Sequence, residues 1–339
     1  MDPVRDEWLR MTTEAPIDPD LPICDPHHHL WEHRGKYLLD ELLHDTRSGH
    51  NIVSTVFVAC ESMYRKDGPP EMRPIGETEF VEGIAAQCAG GKHGPTAVAA
   101  GIVGYADLTL GAAVARVLEA HLVASPNRFR GIRHSVTWDS SPVVKNAAPN
   151  PRSGWMLDTT FRAGFACLQK YGLSYDAWLF HPQLAELASL ARAFPEVPII
   201  LNHIGGPLGE GPYAGKRDEV FKSWRRGITE VAACPNVFVK LGGLGMPRCG
   251  FAWDAKAAPP ASVELAEATA PYYLFCIEQF RPNRCMLESN FPSDKVSYSY
   301  CVLWNSFKRM TQDFSETERK ALFHDTATRV YRLAGPAAG

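Results

Sequence analysis

The 339-residue chain lacks most of the signals that assign a sequence quickly. No apolar run approaches the ~18 residues that suggest a membrane span, so no transmembrane helix is expected. Neither sign of charge dominates: 35 Lys and Arg stand against 38 Asp and Glu, a formal net charge of −3. That balance leaves no electrostatic footprint for nucleic acid or an anionic membrane. The opening MDPVRDEWLRMTTEAPIDPD has no apolar h-region, which argues against a secretory signal. The nine cysteines never form CxxC, and none has a visible activating neighbour. They read as small buried hydrophobes in a reducing, cytoplasmic compartment. No GxGxxG follows the first strand candidate, which counts against a dinucleotide-binding sheet. No repeat, low-complexity tract or linker divides the chain. One domain over 1–339 is expected, with strand 1 beginning near residue 22, an N-terminal extension over 1–20 and a C-terminal helical segment over 313–339.

What is present is an ordinary globular composition, 45% hydrophobic and 22% charged. Eight short β-rich runs recur along the chain, at 21–27, 51–60, 96–105, 128–136, 173–181, 197–203, 236–241 and 284–289. They are almost continuously apolar, as strands covered on both faces must be. Between them lie helical patterns, at 111–124, 181–194 and 217–234, with apolar residues three or four apart. Strands alternating with helices read as βα units, closed either as a barrel or as an open sheet. The long segments 138–160 and 242–262 follow strands, and in a barrel such loops crown the catalytic face.

Histidines cluster at the ends of these strands. In Asp25-Pro26-His27-His28-His29, alternation points His27 and His29 to one face and His28 to the other. Two imidazoles so spaced can share one metal ion, although a histidine-rich loop without metal has the same appearance. His181 ends the fifth candidate strand and His203 the sixth. Singly, each reads as a structural histidine. Together, three positions at the carboxyl ends of strands 1, 5 and 6 converge on one barrel mouth.

The motifs DPHHHLW, LFHPQL, LNHIGGP, VKLGGL, ESNFPSDK and LFHDTATRVYRL, in this order over residues 25–333, resemble the amidohydrolase-related family of the amidohydrolase superfamily. The resemblance implies a distorted (β/α)₈ TIM barrel. It implies lactonase chemistry on sugar acids or aromatic-cleavage products, or non-oxidative decarboxylation, and frequent dimerisation, so a homodimer is the assembly to look for. It places His27, His29 and His181 at metal-ligand positions and His203 at the acid/base position. The family's eighth strand carries an aspartate in GSD(F/Y/W)P, where this chain has Asn290. An amide offers a cation one neutral oxygen and takes no proton at neutral pH. The base then falls to His203, Glu288, Asp294 or Glu61. The cofactor implied is a divalent metal, zinc above others, on three neutral histidines. Some lactonases of the group, by the same resemblance, work without metal.

Weaker signals complete the expected site. Arg133 and His134, ending strand 4, could clamp a carboxylate, although a structural ion pair reads equally well for Arg133. Lys240, inside VFVKL, is costly to bury and is expected to present its ammonium at the mouth as an anion contact. Glu61 is either a base or a solvated acid. Trp31 and Tyr213 are candidate pocket residues, with Tyr64, Arg65, Arg73 and Trp138 behind them. Glu210, Lys216 and Arg217 add polar groups on the loop 205–217. Asp25 is expected to orient its neighbours as an acceptor. The function expected first is hydrolysis of a small, carboxylated cyclic ester. A metal-dependent decarboxylase of an aromatic or enoic acid comes second, because Asn290 weakens the metal set. A barrel that binds a ligand without catalysis comes third.

Overall fold

The computed structural model describes residues 3–148 and 150–333, so the end of the expected C-terminal segment lies outside the described residues. Eight parallel strands follow one another in chain order around a nearly closed sheet. They are β1 (Ile23–His28), β2 (Ile52–Val58), β3 (Ala97–Gly104), β4 (Phe129–Ile132), β5 (Ser174–Ala177), β6 (Ile199–Leu201), β7 (Val237–Leu241) and β8 (Cys285–Leu287). Closure comes just beyond β8, where Phe291 bridges His28 in parallel. His29 N–H donates to the Phe291 carbonyl at 2.8 Å, and Asn290 N–H to that of His27 at 3.0 Å. This is a (β/α)₈ barrel, distorted by register shifts along β1, β2 and β3.

Each expected strand is present, but most stop early. β6 ends at Leu201 because His203 and Ile204 take left-handed backbone angles, φ 53° and 49°, which cannot continue a ladder. The expected helix over 111–124 begins only at Ala115: Gly111, at φ 59° and ψ −141°, interrupts the pattern. Pro182 sits in a short 3₁₀ turn, His181–Gln183, which leads into the helix Leu184–Ala193. The segment 217–234 forms the helix Arg217–Ala232.

Below the mouth the barrel is filled, not open. Cys24, Val56, Val58, Val103, Ile200 and Met286 pack inward against Ala327, Val330, Tyr331 and Leu333. The helix Thr326–Val330 and the residues after it therefore plug the interior, and a fully apolar plug would suffice for packing alone. Here one plug residue is also polar at its tip. The Tyr331 hydroxyl donates to Asp176 on β5 at 2.9 Å.

Candidate active site

Alternation along the strands decides which side chains meet at the centre. Beyond Met286 the inward positions following β8 are Glu288 and Asn290. β1 contributes His27 and, just past its end, His29; the turn after β6 brings His203; β5 brings Asp176 and, just past its end, Trp178. Glu288 is fully buried between two imidazoles. Its Oε1 lies 2.6 Å from His203 Nδ1 and also takes the His203 backbone N–H at 3.2 Å. Its Oε2 lies 2.7 Å from His27 Nδ1, a close contact whose N–H is not aligned as a hydrogen bond. One carboxylate thus serves both rings, whose centroids are 4.6 Å apart. When Glu288 is ionised it accepts Nδ1–H of His203, and the Nε2 lone pair is left for a reaction.

Burial sets the charge states. It lifts the Glu288 carboxyl to about 8, against the pull of the Lys240 ammonium. It drives His203 well below the ordinary imidazole range, helped by the Arg133 and Lys240 cations. His27 is lowered likewise, by burial and then Lys240. Both imidazoles are therefore neutral at neutral pH, the state a proton acceptor requires.

Above this network opens a cavity of about 520 Å³. Its wall includes His29, Trp31, Glu61, Tyr64, Arg133, Trp178, His203 and Asn290. His29 donates Nδ1–H to the Val58 carbonyl, 2.8 Å away, and stacks on Trp31 at 5.3 Å. Trp178 meets the His203 ring edge-on at 4.7 Å. Arg133 donates to the Ala59 carbonyl, and its other terminal nitrogen lies 3.3 Å from His27 Nε2. Among the described residues, six cationic side chains line the cavity, from Arg5, Arg34, Lys36, Arg133, Arg248 and Lys295, against one carboxylate, Glu61.

Several expected residues stand elsewhere. Lys240 is fully buried, and its ammonium is paired with Asp176 at 2.7 Å instead of reaching the mouth. The lysine in VFVKL is satisfied by an inward carboxylate on the neighbouring side of the barrel, not by substrate. His134 accepts the Leu108 N–H at 3.1 Å and does not line the cavity. Tyr213 donates to Asp139 at 2.7 Å, outside the lining. Asp294 is buried with both oxygens engaged: Oδ1 takes the Asn290 amide at 2.7 Å, and Oδ2 takes Gly245 N–H and the Tyr298 hydroxyl. It does not line the cavity. Its effect is to fix which way the Asn290 amide points. Arg65 pairs with Glu79 and Arg73 with the Gly68 carbonyl, both away from the lining. Asp25 takes N–H groups of Ser289 and His27 and the Tyr300 hydroxyl, tying β1 to the turn after β8.

The expected metal set of His27, His29 and His181 is not assembled. His181 falls after the inward run of β5, on the 3₁₀ turn, where Nδ1 accepts the Leu208 N–H at 3.4 Å and its ring meets Tyr213. Among the described residues, the donors close enough to converge on an ion are His27, His203 and Glu288. Two imidazoles and a carboxylate are the chemistry of a divalent-metal site. As placed, however, Glu288 is hydrogen-bonded to His203, and a cation already faces each His27 nitrogen at 3.3 Å, Lys240 at Nδ1 and Arg133 at Nε2. A divalent ion on His27 would be driven against both. The residues in this arrangement do not fit a bound metal.

Asp176, Trp178, Arg248 and Lys295 also belong to the site or its wall; the first three lie outside the motifs, and Lys295, the last residue of ESNFPSDK, is not marked by it as a site residue. The alternation in LSYDAWLF already puts Asp176 and Trp178 on one face; the run of apolar residues up to His181 hides it.

Parallel strands, a closed mouth and histidine–carboxylate chemistry at the strand ends define an amidohydrolase-type barrel. The chain belongs to the Amidohydrolase family, whose model matches residues 24–333. It is similar to the uncharacterised protein y4mH of Sinorhizobium fredii, at 34% identity over 93% of this chain and 99% of that one. An L-fucono-1,5-lactonase of Burkholderia multivorans is 28% identical over 70% of this chain and 73% of its own length. Among solved structures, an amidohydrolase from Burkholderia multivorans with bound zinc has a TM-score of 0.70 at 23% identity, covering 92% of this chain and 99% of that one. Members of the superfamily typically depend on a divalent metal. No helix among the described residues is long and apolar enough to cross a membrane.

Proposed function

We propose that the protein hydrolyses a small anionic lactone, opening the ring to a hydroxy acid. The observation that carries this reading is the junction of two things: a neutral His203 held through Nδ1 by buried Glu288, and a cavity with six cations against one carboxylate. The cations select an anion by charge complementarity. The dyad provides a base in contact with the same space. The curated lactonase relative agrees in class.

The steps follow from the residues. The lactone carbonyl lies toward Arg133, whose guanidinium stabilises charge as it develops on the carbonyl oxygen. The Asn290 amide is oriented by Asp294 and leaves its carbonyl oxygen to hold a water. His203 Nε2 takes a proton from that water as the oxygen attacks, and the new imidazolium is stabilised by Glu288, as in other histidine–carboxylate dyads. The intermediate collapses, the C–O bond of the ring breaks, and His203 returns the proton to the leaving alkoxide. One water is consumed and one hydroxy acid is released. Zinc enters no step, because Lys240 and Arg133 supply the positive charge around His27.

The test is a screen of sugar-acid lactones, aromatic-catabolite lactones and hydroxybenzoates, with metal content measured on the same protein. Lactone opening that His203→Ala abolishes, in protein freed of metal, is the expected result. Release of carbon dioxide from a hydroxybenzoate with no lactone turnover would replace hydrolysis by decarboxylation. Activity that appears only with stoichiometric zinc would overturn the cation-based account.

A further inference from the structure

The barrel begins at Ile23, yet Arg5, well upstream of it, lines the same cavity as His203 and Arg133. It is carried there by an arm that lies across the loop following β7. The Trp8 indole donates to the Lys256 carbonyl at 3.0 Å, and the Thr12 hydroxyl to that of Pro259 at 2.8 Å. Glu14 takes the Ser262 N–H at 2.7 Å, at the start of the helix Ser262–Phe280, and the Asn305 amide at 2.9 Å. Asn305 in turn holds Ile17 N–H at 2.8 Å. These contacts, spread from Trp8 to Ile17, fix the arm without help from Arg5.

Arg5 itself is lightly held. Two of its terminal nitrogens share one neutral acceptor, the Asp254 carbonyl, both at 3.4 Å, and the guanidinium stacks on Trp8 at 4.5 Å. Other cations of the wall are already neutralised: Lys295 sits on Asp45 at 2.7 Å and Lys36 on Glu41 at 3.5 Å. Among the described residues no carboxylate pairs with Arg5 or with Arg248. Arg248 comes from the loop on which the arm lies, donating to the Lys145 carbonyl at 3.3 Å. A guanidinium has five N–H donors in a planar fork suited to carboxylate, and most of those on Arg5 are uncommitted.

We infer that Arg5 is a specificity-determining residue, which binds an anionic group of the substrate distal to the bond that is broken. This rests on the hydrolase reading only for what happens to the substrate, not for the binding itself. The arm thereby adds to the barrel mouth a recognition element that the eight strands do not supply.

Two measurements test it on the full chain. The first is citrate binding by calorimetry, citrate serving as a compact polycarboxylate probe. Arg5→Gln is expected to weaken it roughly ten-fold, the loss of a charge-assisted hydrogen bond, and Arg5→Lys to recover part of that. The second compares turnover of a lactone bearing a free carboxylate with an uncharged lactone of the same ring. Arg5→Gln should raise KM for the first, with kcat nearly unchanged, and leave the second unaffected. Equal citrate affinity in wild type and Arg5→Gln, or no saturable citrate binding by the wild type, overturns the inference. So does an equal loss on both lactones, which would mean that Arg5 merely latches the arm. If neither lactone is turned over while Arg5→Gln still weakens citrate, the hydrolase reading fails and the inference stands.

Discussion

At the scale of single residues, the site depends on one carboxylate dividing itself between two rings. Glu288→Gln keeps the shape but gives His203 an amide, which neither fixes the tautomer firmly nor stabilises an imidazolium. A loss in kcat of roughly 10²–10⁴ is expected, in line with removal of an orienting carboxylate elsewhere. Steady-state kinetics should show it in kcat with little change in KM. The pH profile carries a second prediction. His203 works as a base only when unprotonated, so activity is lost as pH falls through its folded pKa. Burial and the Arg133 and Lys240 cations hold that value well below 6.5, so the acid limb of kcat/KM belongs to Glu288. That carboxyl must be ionised to accept Nδ1–H, and burial lifts it to about 8; kcat/KM should fall as pH is lowered through about 8. A profile that stays level down through 6.5 would contradict the assignment. Lys240 makes a stability prediction. Lys240→Met leaves Asp176 buried with only the Asn202 and Tyr331 donors, and roughly 3–5 kcal/mol of stability should be lost in urea unfolding.

At the scale of elements, strand alternation makes much of the site legible in the sequence itself. His27 and His29 on one face, and His203 at the end of β6, follow from a period of two and a turn. Lys240 and His181 do not follow, for different reasons. Sequence places Lys240 inward but cannot say that Asp176, sixty-four positions earlier, waits there with a carboxylate. The strand carrying Asp176 stops at Ala177, a boundary that continuing apolar residues conceal, so His181 lands on a turn facing Tyr213. Element packing also constrains the loop after β7. Gly243 has φ +76°, and a methyl there would meet His203 Cβ at 2.4 Å and Cγ at 2.5 Å. Gly243→Ala should therefore displace His203. It is expected to lower kcat and to cost about 1–3 kcal/mol through overpacking, read from activity and thermal melting of one preparation.

At the scale of the whole molecule, eight βα units and an apolar interior are legible from composition and periodicity alone. The plugged interior and the N-terminal arm are not, because both are long-range contacts made by segments whose own patterns carry no address. All nine cysteines are free, and seven are buried, leaving Cys167 and Cys301 partly accessible. Thiol titration of the native protein should therefore label two groups at most quickly and all nine after denaturation. Rapid native labelling of more than two would mean that the barrel opens on the timescale of the reagent.

The Tyr331–Asp176 contact bears on when the enzyme comes into being. From Tyr331 a chain of polar contacts runs through Asp176 to Lys240 and on to His27. On the ribosome, every strand and every reacting residue is synthesised before the tyrosine that caps this chain. In chain order, the last hydrogen bond of this network is therefore supplied after all of the reacting residues it supports.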